Sequence, residues 1–419
     1  MMTNCLKDYL AGIGARSLPP CEIPEEREPD LPTATSSSSA REMICIEIDP
    51  FPDPDASPLF DFFIDGVQRT VAVAEVIVDN MHVPLHLSHL IVGAMKRVEK
   101  KLIPFIMREA LVLIFPFQAL QAAGWSACKP PGQELSSSGG IYGKVKKAKE
   151  SGDLLYSDSS IALRLERDGR PQILLEAGDL IRTGEVRQKA LDRAKELLRI
   201  MELGLLWELR CQYPNEWVLL DGPIAPLLKY GRLTEPSLAG LQNIAKPDIA
   251  FELLRRVVGA VKTVRIVAKG IERALTLEQK FCIPIYQFAG VVKEDDEVAK
   301  EILSAFLWLR RELVGEISTL WSTVSGLARF DIPIPAVFDD SSKKNNWNNL
   351  NEDTIKNCLT NPSSKERQRL EELLQAIVIE RWPVPAATAT RMLTELFPIA
   401  ETECWLTSQL RNIHEMRFF

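Results

Sequence analysis

The chain has 419 residues, 46% of them apolar and 26% charged, with a formal net charge of −7. Such numbers describe an ordinary folded protein with length for one large domain or two average ones, and exclude a disulfide-stapled miniprotein or a wholly disordered chain. The acidic total also excludes a molecule that gathers nucleic acid through a global positive field.

The eight cysteines are scattered, with no Cys-x-x-Cys pair, and read as reduced structural thiols rather than a zinc site. Residues 1 to 10 lack the apolar core of a signal peptide, and the most apolar run, Ala110 to Phe117, is too short to span a bilayer. A cytoplasmic protein with no membrane partner is expected.

Residues 1 to 44 open with a possible short helix and become rich in Pro, Glu and Ser, ending in Ser36 to Ser39, which predicts a flexible leader. Met43 to Ile48 is a short strand. Leu59 to Ile64 is an apolar run that ends in Asp65-Gly66, and Thr70 to Val78 is a second β-rich run. The two predict a hairpin or meander turning at Gly66 to Arg69, with Asp65 where the first strand turns. Asp-Gly is an ordinary turn dipeptide. A carboxylate closing a buried strand is otherwise costly unless something pairs with it or binds it, and a metal ion is one such partner.

Residues 85 to 125 predict mainly helix, because Ile91, Met95, Val98, Leu102 and Ile106 recur at helical spacing, and a helical insertion is expected around 85–183. A Pro, Gly and Ser loop follows at 129–143, leading into the basic Lys144, Lys146, Lys147 and Lys149. This cluster, like Lys96-Arg97 with Lys100-Lys101 and Arg255-Arg256 with Lys262 and Arg265, reads first as a solvated face. Short strands are predicted at Ser160 to Leu165 and Gln172 to Leu175. Gly184 to about Arg210 is the strongest helix, with Leu191, Ala194, Leu198, Met201, Leu205 and Leu206 on one face and Glu202 beside Met201. Trp217 to Leu220 is then a second buried strand ending in Asp-Gly, at Asp221-Gly222.

That recurrence points to chemistry. If the two strands are neighbours, Asp65 and Asp221 emerge at one sheet edge and the helix adds Glu202. Three converging carboxylates repel unless they share a divalent cation, and hard oxygen ligands select Mg²⁺ or Mn²⁺. The order strand-Asp, helix-Glu, strand-Asp is that of ribonuclease H-like nucleases, in which metal ions activate water and stabilise the leaving oxygen of a phosphodiester. The expected fold is α/β, a ribonuclease H-like mixed sheet flanked by helices, with helical insertions.

Further on, Leu253 to Thr263 predicts a strand ending at Lys262, which either meets a phosphate or is an exposed strand-end lysine. Residues 297–314 are a strand or helix, and Leu327 to Pro333 is a late edge strand stopped by proline. A polar surface loop spans 341–353. Gln368 to Glu380 is a helix, Trp382-Pro383-Val384-Pro385 breaks it, and a last helix covers 386–396 before a tail at 401–419.

Taken in order, these motifs resemble the NurA family of nucleases, the partner of the hexameric HerA DNA translocase. Asp65-Gly66 resembles the family's first Asp-Gly motif, Arg199-Ile200-Met201-Glu202 its helical Arg-x-x-Glu, and Leu219-Leu220-Asp221-Gly222 its second Asp-Gly strand. Val258 to Thr263 is similar to the Gly-x-x-Lys strand, and Ala328 to Pro333 to the late Arg-x-Glu-x-Pro strand, with aspartate for glutamate. The resemblance covers roughly residues 59 to 395 and implies a nuclease domain over 45–400. It implies Asp65, Glu202 and Asp221 as catalytic and metal-binding residues for Mn²⁺ or Mg²⁺, and Lys262, Arg69 and Arg329 as substrate-binding residues. It implies DNA as substrate, a HerA-like ATPase as partner, a homodimer, and a role in DNA end processing or anti-phage defence. The chain departs from the pattern at Val67 and Pro223, where the family has serine. It departs again at Trp382-Pro383 and Ala389-Thr390, where the family has Tyr-Pro and an Ala-His whose histidine helps hold metal. These departures imply an alternative, a catalytically weakened subunit that assembles with the ATPase and regulates it, with Asp331 or Glu380 as conceivable substitute acids.

Overall fold

The computed structural model describes residues 2–22, 33–39, 43–48, 58–165, 169–241, 245–262, 266–269, 280–284, 302–309, 327–339, 347–381, 383 and 394–416. The strands are β1 (Arg16–Glu22), β2 (Thr33–Ser39), β3 (Met43–Glu47), β4 (Phe60–Val78), β5 (Met81–Val98), β6 (Lys101–Phe115), β7 (Gln133–Glu134), β8 (Leu155–Asp158), β9 (Ile161–Leu165), β10 (Pro171–Ile173), β11 (Trp217–Asp221), β12 (Val257–Val261), β13 (Ile266–Lys269), β14 (Lys280–Pro284), β15 (Ile302–Trp308) and β16 (Leu327–Pro333). The helices are α1 (Met2–Gly12), α2 (Phe117–Ala122), α3 (Ile141–Ser151), α4 (Thr183–Gln212), α5 (Ile224–Leu228), α6 (Gly231–Thr234), α7 (Pro247–Leu254), α8 (Ile334–Val337), α9 (Glu352–Thr360), α10 (Lys365–Ile379) and α11 (Phe397–Ser408).

Among the described residues a mixed sheet of twelve strands runs in the order β3-β14-β15-β16-β12-β11-β4-β5-β6-β8-β7, with β1 also on β4. Strand β11 is parallel to both β4 and β12, whereas β4, β5 and β6 form an antiparallel meander. One edge of β4 is taken by β5 along almost its whole length. The other is shared: β11 pairs with it over Phe60–Ile64 and β1 over Val71–Glu75, so residues 65–70 lie in a notch between them.

Helices cover both faces of this centre. Helix α4 packs on β4 and β5 from one side, and α11 packs on β4, β5 and β11 from the other. Side chains alternate across a strand, and residues in register on neighbouring strands point the same way. Two glycines tell the faces apart. A Cβ on Gly66 would meet Leu198 and Glu202 of α4, whereas a Cβ on Gly93 would meet Trp405 and Leu406 of α11. Phe62, Phe63 and Ile64 are fully buried, and each contributes about 1.5–3 kcal/mol by leaving water.

Four expectations are corrected here. The predicted hairpin at Gly66 to Arg69 is absent: β4 runs straight through, and the turn comes at Asp79-Asn80, both with positive φ (48° and 62°) as a tight two-residue hairpin loop requires. Most of the predicted helix at 85–125 is strand, because β5 is buried along most of its length and its apolar run serves two faces rather than one helical stripe. Strand β16 is internal, lying between β15 and β12, so Pro333 ends it without making it an edge. The start of the leader is structured: Leu6, Tyr9 and Leu10 of α1 are buried with Val71 and Val73, and Tyr9 Oη donates to the Cys128 carbonyl at 3.1 Å. The basic Lys144–Lys149 stretch belongs to α3, where Lys146 pairs with Glu208 and Lys149 with Glu109. The expected strands β3, β11 and β12 and the helices α4 and α10 form within a few residues of their predicted bounds. The predicted last helix at 386–396 falls mostly outside the described residues.

Candidate active site

Asp65 sits at the mouth of the notch in β4, beside the end of β11. The register pairs Leu220 with Ile64, which brings Asp221 level with Asp65 on the parallel neighbour, and pairs Asp221 with Ala260 on β12. Lys262, two residues past Ala260, therefore comes to the same face as both aspartates. Asp65 is directly opposite Gly93, whose open side meets α11, so this is the α11 face.

Three of the predicted residues thus converge there. Asp65 is almost completely buried; its Oδ1 accepts from the Gly66 amide at 2.6 Å, and its Oδ2 is buried with no hydrogen-bond partner. Burial, and then the neighbouring Asp221 carboxylate, hold the Asp65 carboxyl well above the usual carboxylate range. Lys262 Nζ lies 3.3 Å from Asp221 Oδ2, 2.5 Å from Glu395 Oε1 and 3.0 Å from Glu403 Oε2. Burial works against this ammonium, but Asp221, Asp65, Glu403 and Glu395 outweigh it and push its pKa up.

Glu202 reaches the strand from the other side. A Cβ on Gly66 would lie 2.7 Å from Glu202 Oε1, so only glycine leaves room for the glutamate against β4. Its Oε2 accepts from Arg199 Nη1 at 2.7 Å, and the same nitrogen donates to the Asp221 backbone carbonyl at 3.2 Å. Burial raises the Glu202 pKa in spite of Arg199. Gly222, at φ +95°, keeps the turn after Asp221 clear of the Arg199 guanidinium, which a Cβ would approach to 2.9 Å. The two aspartates and the glutamate therefore flank the backbone of β4 instead of meeting in one cup.

The other predicted residues are held elsewhere. Arg69 donates to the Arg411 carbonyl at 2.6 Å, securing the segment after α11. Arg329 is buried on the α4 face beside Asp331, Nε to Oδ1 2.9 Å. Asp331 also accepts from the Ile224 amide at the start of α5 and from Ser304 Oγ, and Glu380 is clamped by both terminal nitrogens of Arg97 at 2.6 Å. Neither acid substitutes for a missing ligand. Val67 packs with Ile91 and Leu406, and Pro223 precedes α5. Trp382, Ala389 and Thr390 lie outside the described residues.

Glu395 and Glu403 were not anticipated. Both come from the last part of the chain, and Glu403 belongs to α11 in a stretch predicted as a tail. The one signal for α11 was a buried-looking Trp405-Leu406 pair four residues after Glu401.

Among the described residues, no three acidic, histidine or cysteine side chains stand close enough together to enclose a metal ion as placed. The donors still suit one in kind: they are hard carboxylate oxygens, two on adjacent strand ends, and one oxygen of Asp65 is buried without a partner. A divalent cation at Asp65 and Asp221 would satisfy that oxygen and relieve the repulsion between the pair.

No family model matches the chain, and no curated protein matches it. Among solved structures, the crystal structure of the NurA nuclease from Sulfolobus solfataricus is similar, at 10% identity over 84% of this chain and 80% of that one, with a TM-score of 0.30. A TM-score of that size carries no weight for fold or function, which rest on the residues of the chain itself.

Proposed function

We propose that the chain is a metal-dependent DNA nuclease with a ribonuclease H-like centre. The observation that supports this best is the pair of level aspartates on parallel strands, with Asp65 Oδ2 buried and unpartnered. Asp65 and Asp221 would hold Mn²⁺ or Mg²⁺, with Glu202 beside them at the Gly66 backbone. A bound divalent ion supplies Lewis-acid polarisation to a phosphodiester. The chain's own groups do the rest. Arg199 fixes Glu202 and the Asp221 carbonyl in one arrangement, and Lys262 provides a mobile point charge on the substrate side of the aspartates. The packed α4 and α11 limit water on either face of β4, which strengthens each charge interaction at the site.

A net charge of −7 suits a nuclease delivered to DNA by a partner, and a HerA-like hexameric ATPase acting on a homodimer is that partner in this reading. DNA end processing or anti-phage defence would be the setting. The test is a cleavage assay with Mn²⁺ on linear and circular DNA: Asp65→Ala and Asp221→Ala should abolish cleavage while the protein stays folded. Loss of linear DNA with circular DNA spared would mark an end-dependent exonuclease.

One observation favours a second reading. The Lys262 ammonium is engaged by Asp221, Glu395 and Glu403 together, which suits a weakened subunit that regulates the ATPase rather than cutting. Cleavage near background from the wild-type chain with its partner would select it.

A further inference from the structure

The carboxylates of α11 and the residue before it have no place in the proposed triad, yet they surround its lysine. Glu403 Oε2 and Asp221 Oδ2 lie 3.0 and 3.3 Å from Lys262 Nζ, on the face where Asp65 points its unpartnered oxygen. Glu395, almost wholly buried, grips the same ammonium from 2.5 Å. An ammonium held by carboxylates from three separate segments occupies the kind of position a hard cation would take, since both need converging anionic oxygens. One unit charge satisfies such a set less well than two, and Asp65 Oδ2 shows a donor that the lysine leaves unserved.

We propose that Asp65, Asp221 and Glu403 form a seat for a divalent cation, and that Lys262 and the cation compete for it, with Glu395 as the lysine's anchor. Cation entry displaces the ammonium from Asp221 and Glu403 and releases it toward a phosphate of the substrate. The seat uses a glutamate from α11 in place of any histidine, so α11 is part of the site and not a tail. The proposal rests on the carboxylates being a cation site and is independent of cleavage.

The experiment titrates Mn²⁺ alone, without DNA, into the full chain and reads free Mn²⁺ by electron paramagnetic resonance. Lys262→Met should tighten binding at least about tenfold, because a positive charge within about 3 Å of two ligands is removed. Glu403→Gln should weaken it at least about tenfold, and Asp65→Asn should do the same. Because Lys262→Met leaves its carboxylates uncompensated and could unfold the protein, Lys262→Met with Glu395→Gln is compared with Glu395→Gln alone, each checked by circular dichroism. The double variant should again bind more tightly. Equal affinity with and without Lys262, full affinity in Glu403→Gln, or no Mn²⁺ binding in any variant would overturn the proposal. If competition is found but Asp65→Ala still cleaves DNA like the wild type, the nuclease reading fails and the cation seat stands.

Discussion

A single oxygen separates Asp65 from an ordinary buried aspartate. Its partner Oδ1 is served by the Gly66 amide, but Oδ2 is buried with nothing to accept from. An unfolded aspartate ionises near pH 4, and this one is held well above that in the folded protein. Ionisation therefore costs folded-state stability, absent below about pH 4 and growing as pH rises toward the folded pKa. Asp65→Asn cannot ionise, so without metal it should be more stable than the wild type at pH 8 by about 1–3 kcal/mol, with the gap closing near pH 4. Urea melts at the two pH values measure this; a wild type as stable as the variant at pH 8 contradicts it. His86 carries the opposite sign. Burial, and then Arg187, lower its pKa to about 3, so its share of stability is whole above about pH 6.5 and is lost as pH falls toward 3. His86→Leu should flatten the acid limb of the melting curve over that window.

Gly66 makes the same point about what a residue-level reading can miss. In the sequence, Asp65-Gly66 reads first as a turn, and the glycine is indeed required, but by Glu202 of α4 approaching the strand and not by any bend. Gly66→Ala should cost about 1–3 kcal/mol through that contact, as a shift in the urea midpoint. The acidic residues themselves were legible because two strands end in the same dipeptide. Which face each one takes was not, since that depends on register between strands 156 residues apart in the chain, 217 − 61.

At the level of elements, the strands that flank the site were found from their apolar runs, while β5 and β6 were mistaken for helix. Positions 91, 95, 98, 102 and 106 fit a helical stripe, yet the residues between them, such as Leu90, Val92 and Ala94, are equally buried. A strand buried on both faces erases the alternation that would identify it. Helix α11 was missed for another reason: it is short, and its value lies in docking on β4 and β5. Leu406 is fully buried against Ile91 and Val67. Leu406→Ala should cost about 2–5 kcal/mol. Because the same helix carries Glu403, the variant should also lose Mn²⁺ affinity even where it stays folded at low temperature. Full affinity in a folded Leu406→Ala protein would separate α11 from the site.

For the whole molecule, the decisive feature is that one long strand is shared by everything: β11 and β1 on one edge, β5 on the other, α4 and α11 on its faces. Such sharing makes Asp65 a place where folding and chemistry conflict, with a buried charge that apolar packing would remove. Cleavage by the whole protein is the most direct measure of whether that conflict serves catalysis. Wild-type chain with Mn²⁺ should degrade linear DNA, and Asp65→Ala and Asp221→Ala, folded by circular dichroism, should not; cleavage by either variant at the wild-type rate would contradict the account.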